Sequence, residues 1–234
     1  MTNKQIIMQV PFSGLRYTEA LNTLLGFLKS DRNHLIVTPN PEMVMLAKRD
    51  EGFLHILQNA DLVLADGIGI TLAAKLLKLN IPERVPGCDI AMDLLKSAKG
   101  HTCYLLGAAP GVAAKAQKNL EKQNIKVVGH HDGFFTDDKI ILDKLHKLKP
   151  DILIIGMGMQ RELEWGAKHL HSLPCKATMC LGGTIDVIAG NVRRAPKIMR
   201  RLGLEWLWRL AANPSRAKRM LDLPRFAWEI LRQM

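Results

Sequence analysis

The sequence predicts an α/β protein: a Rossmann-like, doubly wound, mostly parallel sheet followed by a basic helical C-terminal appendage. Three observations lead there. Up to about residue 190, short β-type runs alternate with amphipathic helical ones, and apolar strands separated by helices read as a parallel sheet covered on both faces. Several of those strands end in glycine- or proline-rich turns, and the carboxyl ends of strands are where open α/β sheets bind ligands. Past Gly190 the strand signal stops and basic residues accumulate. The expected division is a core over 1–190 and an appendage over 191–234.

Taken in order, the expected strands are Ile6–Val10, His34–Thr38, Leu62–Ala65, Thr102–Leu106, Lys126–Gly129, Ile152–Ile155 and Ala177–Leu181. Amphipathic helices are expected over Thr18–Lys29, Thr71–Leu77, Cys88–Lys99, Gly111–Gln123 and Asp137–Leu148, with Asp89 or Cys88 as the cap of the third. His169 and His171 read as surface residues of a further helix. In the appendage, Asn213–Pro214 has the pattern of a helix start, with proline at the first helical position. Pro224 is expected to restart or kink the chain.

The 234 residues are 47% apolar, enough for a sizeable core. "MTNKQIIMQV" has no long apolar run of the signal-peptide kind, and no stretch approaches the roughly 20 apolar residues of a membrane span. The four cysteines form no CxxC pair and read as reduced thiols of a cytoplasmic protein. The net charge is +11, and the segment from Asn191 carries eleven basic residues against Glu205, Asp222 and Glu229. Such asymmetry calls for a polyanionic partner: nucleic acid, an anionic membrane surface or a phosphate-bearing ligand. Trp206, Trp208 and Trp228 interleave with these charges, a composition that fits either an ordinary helical layer closing the core or an interfacial amphipathic helix.

The most informative stretch is "LVLADGIGITLAAKL", in which Asp66 is the one carboxylate, placed where a strand gives way to a glycine turn. Burying a lone charge is costly unless it is paired or used. Other strand ends carry similar chemistry: "VTPNPEM" with Thr38 and Asn40, "LLGAAPG", "IIGMGMQRE", and "LGGTIDV" with Gly183 and Asp186. Glycine turns at helix starts let backbone N–H groups approach a phosphate. "GMGMQR" is an incomplete dinucleotide fingerprint, because Arg161 stands in place of its third glycine. "HHDG" lacks a third metal ligand at helical spacing, and no D-x-D pair exists to hold a divalent cation against a sugar nucleotide. No metal or cofactor is expected. Arg84, in "IPERVPGCDI", is a loop charge whose interest comes from its place after Asp66.

The order of these blocks resembles the WecG/TagA/CpsF family of bacterial glycosyltransferases along essentially the whole chain. The resemblance is carried by "TPNPEM", "ADLVLADGIGI", "PERVPGCDI", "LLGAAPGVAAKA", "VGHHDGFF" and "GGTIDVIAGNVRRAPKIMRRLGLEWLWRL". It implies transfer of a sugar, typically N-acetylmannosamine, from a UDP donor to undecaprenyl-diphosphate-linked N-acetylglucosamine in teichoic acid or surface polysaccharide synthesis. The transfer would be inverting and metal-independent, by an enzyme peripheral to the cytoplasmic face of the membrane. The resemblance makes Asp66 the general base, with Thr38 and Asn40 in the polar turn beside it. It places Arg84 near the diphosphate, Asp186 at the uracil, and Arg209, Arg216 and Arg219 in the appendage completing the donor site. Glu162 stands where the family has glutamine, Gln160 where it has proline, and Phe134 and Phe135 near a usual tyrosine. A carboxylate at Glu162 would repel a diphosphate unless protonated or paired with Arg161.

The partners implied are a UDP-sugar donor, a lipid-linked acceptor and an anionic membrane, with no nucleic acid; a homo-oligomer is left open. Within the same family, UDP-N-acetylmannosaminuronic acid or a UDP-hexose is the alternative donor. Two readings from other classes stand beside it. A non-catalytic polyanion- or membrane-binding module would be indifferent to Asp66. A nicotinamide oxidoreductase would use Gly156 and Gly158, but lacks the acidic ribose partner.

Overall fold

The computed structural model of the chain describes residues 4–212 and 217–233. Six strands form one all-parallel sheet: β3 (His34–Val37), β4 (Leu62–Val63), β5 (Thr102–Gly107), β6 (Lys126–His131), β7 (Ile152–Gly156) and β8 (Ala177–Cys180). Their order across the sheet is β4-β3-β8-β7-β5-β6. The chain builds outward from β3 to β4, crosses to β5 and β6, then fills inward through β7 and β8. The crevice between β3 and β8 is therefore the reversal point at which doubly wound sheets bind ligands.

Successive side chains of a strand point to opposite faces, and both faces here are buried. Leu35 and Val37 join one apolar cluster and Ile36 joins the other. In β7, Leu153 and Ile155 face the first cluster, and Ile152 and Ile154 the second. The first face is covered by α2 (Pro41–Ala47), α3 (Glu51–Asn59), α4 (Ile68–Leu76), α7 (Asp138–Leu148) and α8 (Met159–His169). The second is covered by α1 (Tyr17–Phe27), α5 (Gly87–Ser97), α6 (Val112–Glu121) and α9 (Thr184–Ala189).

The expected strand Ile6–Val10 is instead the bend of a separate hairpin. β1 (Lys4–Ile7) pairs antiparallel with β2 (Val10–Ser13), and Met8 and Gln9 both take positive φ, 47° and 69°. Two consecutive positive-φ residues make the tight turn that matches strand twist. The cap of α5 is Pro86, so Cys88 and Asp89 lie inside its first turn. His169 is half-buried, with Nε2 2.9 Å from Asp138 Oδ2, and only His171 is exposed.

Beyond Gly190 the described residues form helices alone: α10 (Lys197–Arg201), α11 (Glu205–Ala212), α12 (Ala217–Met220) and α13 (Asp222–Leu231). As expected, the chain restarts near Pro224: α12 ends at Met220, Leu221 caps α13, and Pro224 sits in the first turn of α13, where no helical N–H is needed. Asn213–Pro214 lies outside the described residues. Helix α13 packs on α2 and α4 and buries Phe226 and Ile230 in the first cluster. Arg49 of the core meets Asp222 through two bonds of 2.8 Å, and Lys48 meets Glu229 at 2.7 Å. Among the described residues no helix is long and apolar enough to cross a membrane.

Gly107 closes β5 at φ 136°, and an added Cβ would collide with the Gly156 carbonyl of β7. Backbone cannot move aside as a side chain can. Gly107→Ala should therefore cost at least about 2 kcal/mol in urea denaturation, from strain and overpacking together. Gly26→Ala, in open space within α1, should instead stabilise by about 0.5–1 kcal/mol through helix propensity.

Candidate active site

The site is assembled by backbone at the carboxyl edge of β3, β4 and β8. After β4 the chain stays buried through Leu64 and Ala65, whose backbones bond to Val37 and Val85. Asp66 N then donates to Pro39 O at 3.1 Å, which holds the aspartate against the turn that follows β3. Gly67 takes φ 88° and starts α4. Gly69 has no room for a side chain, since a Cβ would lie 2.6 Å from Pro41 Cγ. In that same turn the Asn40 side chain accepts from Met43 N at 3.0 Å, capping α2.

Helix α5 enters from the other face. A Cβ on Gly87 would stand 2.6 Å from Thr38 Oγ1 and 2.8 Å from Leu181 Cδ2, so the helix start lies directly over the ends of β3 and β8. From there Gly87 N donates to Asp66 Oδ2 at 3.3 Å. An N–H at a helix start favours an anion. Thr38, Gly87 and Asp66 thus converge, as the sequence predicts for Thr38 and Asp66.

Asn40, Asp66 and Arg84 share the lining of a cleft of about 400 Å³ between α2, α4 and the appendage. Arg84 reaches across it, with Nη2 donating to the Arg200 carbonyl. Two further carboxylates, Glu42 and Glu205, belong to this lining and escaped the sequence reading. Glu42 is buried, and Arg219 Nε lies 3.5 Å from its Oε2. Away from these charges the wall is apolar, formed by Leu72, Leu76, Phe226, Ile230 and Leu231.

The other expected residues lie along the neighbouring turns of β7 and β8. Glu162 is 3% exposed and takes three backbone N–H groups: Met157 and Gly158 at 3.1 Å on Oε2, and Gly182 at 2.8 Å on Oε1. It ties the two glycine turns together. Burial pushes its carboxyl up to about 7, against the pull of those bonds and of the Arg219 charge. Of the two alternatives for Glu162, protonation or pairing with Arg161, the pairing is not found: Arg161 donates to the carbonyls of Gly133 and Phe135, and its guanidinium lies over the Phe135 ring. Gly183 caps α9 and is exposed, and Asp186 is half-buried in that helix, with burial raising its carboxyl. None of these residues lines the cleft. Gln160 is exposed on α8 and bonded to Asp50 and Glu164, away from the cleft lining, because its helical position turns it toward α3. Arg216 and the Arg209 side chain lie outside the described residues.

Asp89, expected as a possible cap, is instead an anchor. Arg194 donates to both of its oxygens, and Arg200 Nη1 lies 3.8 Å away. These cations hold the Asp89 carboxyl below its usual range, against the opposing effect of burial.

Fold and site together define a doubly wound α/β protein with a carboxylate-bearing cleft beyond the carboxyl ends of β3 and β4. The chain belongs to the glycosyl transferase WecG/TagA/CpsF family, whose family model matches residues 5–234. Among its relatives is an N-acetylglucosaminyldiphosphoundecaprenol N-acetyl-beta-D-mannosaminyltransferase of Bacillus subtilis. It is 31% identical over 234 residues, covering 98% of this chain and 91% of the relative. Proteins of the same name from Staphylococcus aureus and Bacillus spizizenii are each 32% identical. The first match covers 98% of this chain and 92% of the relative, and the second 88% and 82%. The chain is thus a glycosyltransferase by family.

The Glu162 carboxyl carries a pH prediction. Its folded value, about 7, lies above the ordinary 4.5, so its contribution to stability is complete below about pH 4.5 and is lost as pH rises through 7. Glu162→Gln removes that titration. The stability difference between wild type and variant should move by about 3 kcal/mol between pH 4.5 and 8, on the scale of 1.36 kcal/mol per pH unit. Urea denaturation of both proteins across that range measures it.

Proposed function

We propose that the protein transfers N-acetylmannosamine from a UDP donor to N-acetylglucosamine on undecaprenyl diphosphate, with inversion and without a divalent metal. The sugar and acceptor follow the names of the relatives. The observation that carries the chemistry is the position of Asp66, at the polar end of the cleft beside Thr38 and the α5 start. In this reading Asp66 accepts the proton of the acceptor hydroxyl, whose oxygen bonds to the anomeric carbon as the bond to the UDP oxygen breaks. UDP departs from the opposite face, which inverts the centre.

The leaving diphosphate needs positive charge where it develops. Arg84 and Arg219 supply guanidinium groups there. Asp186 reads the uracil, and Arg209 and Arg216 complete the donor side. Gln160, bonded to Asp50 and Glu164, is withdrawn from this set. Glu162 orders the two turns from within, and its place in the family's glutamine position makes the donor sugar the part most open to change. UDP-N-acetylmannosaminuronic acid or a UDP-hexose is the alternative donor.

The appendage, 191–234, is assigned to contact with an anionic membrane as well as to the donor. Its basic residues each add about 1 kcal/mol of attraction near such a surface, and Trp228 is 63% exposed. The enzyme would then work on the inner face of the cell membrane as a peripheral protein.

Asp66→Ala and Asp66→Asn should each lower turnover about 10²–10⁴-fold, as for a lost general base, with UDP binding kept. Near-normal turnover would remove Asp66 from the mechanism. Arg84→Ala should weaken both donor binding and turnover, and Arg84→Lys should restore only part, lacking the planar fork. Calorimetry with UDP in EDTA should show binding; binding restored only by magnesium or manganese would refute the metal-free reading.

A further inference from the structure

The apolar half of the cleft has no use in the transfer chemistry. Leu72 and Leu76 stand one helical turn apart on α4 and are 53% and 47% exposed, while Leu231 on α13 is 55% exposed. Phe226 and Ile230, both buried, also line this wall. The roof is fixed by Gly203, where a Cβ would fall 2.6 Å from Ile68, so the turn between α10 and α11 rests on the start of α4. The result is one continuous trough, charged at Asp66 and Arg84 and apolar out to Leu76 and Leu231.

An open apolar trough of this kind needs a covering ligand. Its volume, about 400 Å³, is that of a pocket for a small ligand or part of a larger one. A sugar nucleotide has no apolar portion to place there. A sugar on a polyprenyl diphosphate has one, and its order of parts, isoprenoid, diphosphate, sugar, follows the order of the lining from apolar to charged. We infer that the trough between α4 and α13 takes the first isoprene units of the lipid-linked acceptor, delivering its sugar to Asp66. This rests on the transferase reading above, and it adds a subsite for the chain itself. The appendage thereby acts on the acceptor lipid directly, and the rest of the isoprenoid stays in the bilayer.

The test uses farnesyl diphosphate, below its micelle concentration, on the full chain and on Leu72→Asp and Leu231→Asp. Both positions are half-exposed, and unchanged circular dichroism and UDP binding check that the variants fold. Saturable binding to the wild type is expected, weakened at least about tenfold in each variant. Absence of saturable binding, equal binding by wild type and both variants, or displacement of farnesyl diphosphate by UDP would each overturn the subsite. So would a dimer that Leu72→Asp dissolves, since a second copy would then cover the trough. Turnover separates this proposal from the one it rests on. Wild type should prefer N-acetylglucosaminyl diphosphate carried on farnesol over the same head group on methanol, through a lower KM, and the variants should lose that preference while keeping turnover on the methyl compound. Equal KM values in the wild type would refute the subsite and leave the transferase standing. No transfer to either compound would refute the transferase reading, and the binding experiment alone would then decide the trough.

Discussion

The carboxyl edge of the sheet depends on how closely the start of α5 approaches β3 and β8. Only a residue without a side chain fits at Gly87, because Thr38 and Leu181 occupy the space a Cβ would need. That approach brings a backbone N–H to Asp66 and places the aspartate within a ring of turns instead of on an open loop. The same closeness recurs at Gly69 against Pro41 and at Gly203 against Ile68. Three glycines therefore set the spacing of α5, α4 and the appendage around one carboxylate. A methyl group at any of them would meet a ring, a hydroxyl or a branched side chain held by its own packing.

The appendage is fastened by charge in both directions. Core cations Arg49 and Lys48 take its acids Asp222 and Glu229, while core acids Asp89 and Glu42 take its cations Arg194 and Arg219. A pair open to solvent, such as Lys48–Glu229, stabilises little, typically 1 kcal/mol or less. The pairs fix orientation, whereas burial of Phe226 and Ile230 supplies the larger apolar term. The arrangement consumes part of the basic excess that the sequence sets against an external polyanion. It also places Arg219 where its charge acts on Glu162, joining appendage and glycine turns electrostatically.

The legible parts of the fold were those with local causes. Five of the six parallel strands are buried on both faces, so their apolar runs are nearly uninterrupted and bounded by turn residues, while the edge strand β6 is partly exposed. The first strand misled because Met8 and Gln9 adopt positive φ without the glycine or asparagine that announces a tight hairpin. Asp66 and Thr38 could be singled out because each adjoins a punctuating glycine or proline, and Arg84 because it lies between Pro82 and Pro86. Glu42 and Glu205 could not: their place in the cleft is created by α13 packing on α2 and α4 and by the turn before α11 resting on Ile68. The environment of Glu162 was equally hidden, since its donors come from two turns separated by more than a helix in sequence.

Glu162 also shows what kind of change this scaffold absorbs. Its two oxygens accept three N–H groups from the turns where a donor diphosphate would otherwise find backbone donors free. A carboxylate is well suited to such a place, because both of its oxygens accept, whereas an amide presents one accepting oxygen and an NH2 that only donates. Burial opposes the charge and the three bonds sustain it, so the group is poised near neutrality. The consequence is geometric before it is catalytic. In the proposed reading, with the Met157, Gly158 and Gly182 donors turned inward, positive potential for the donor diphosphate comes from side chains, and Arg219, within electrostatic reach of Glu162, is the appendage guanidinium assigned to it.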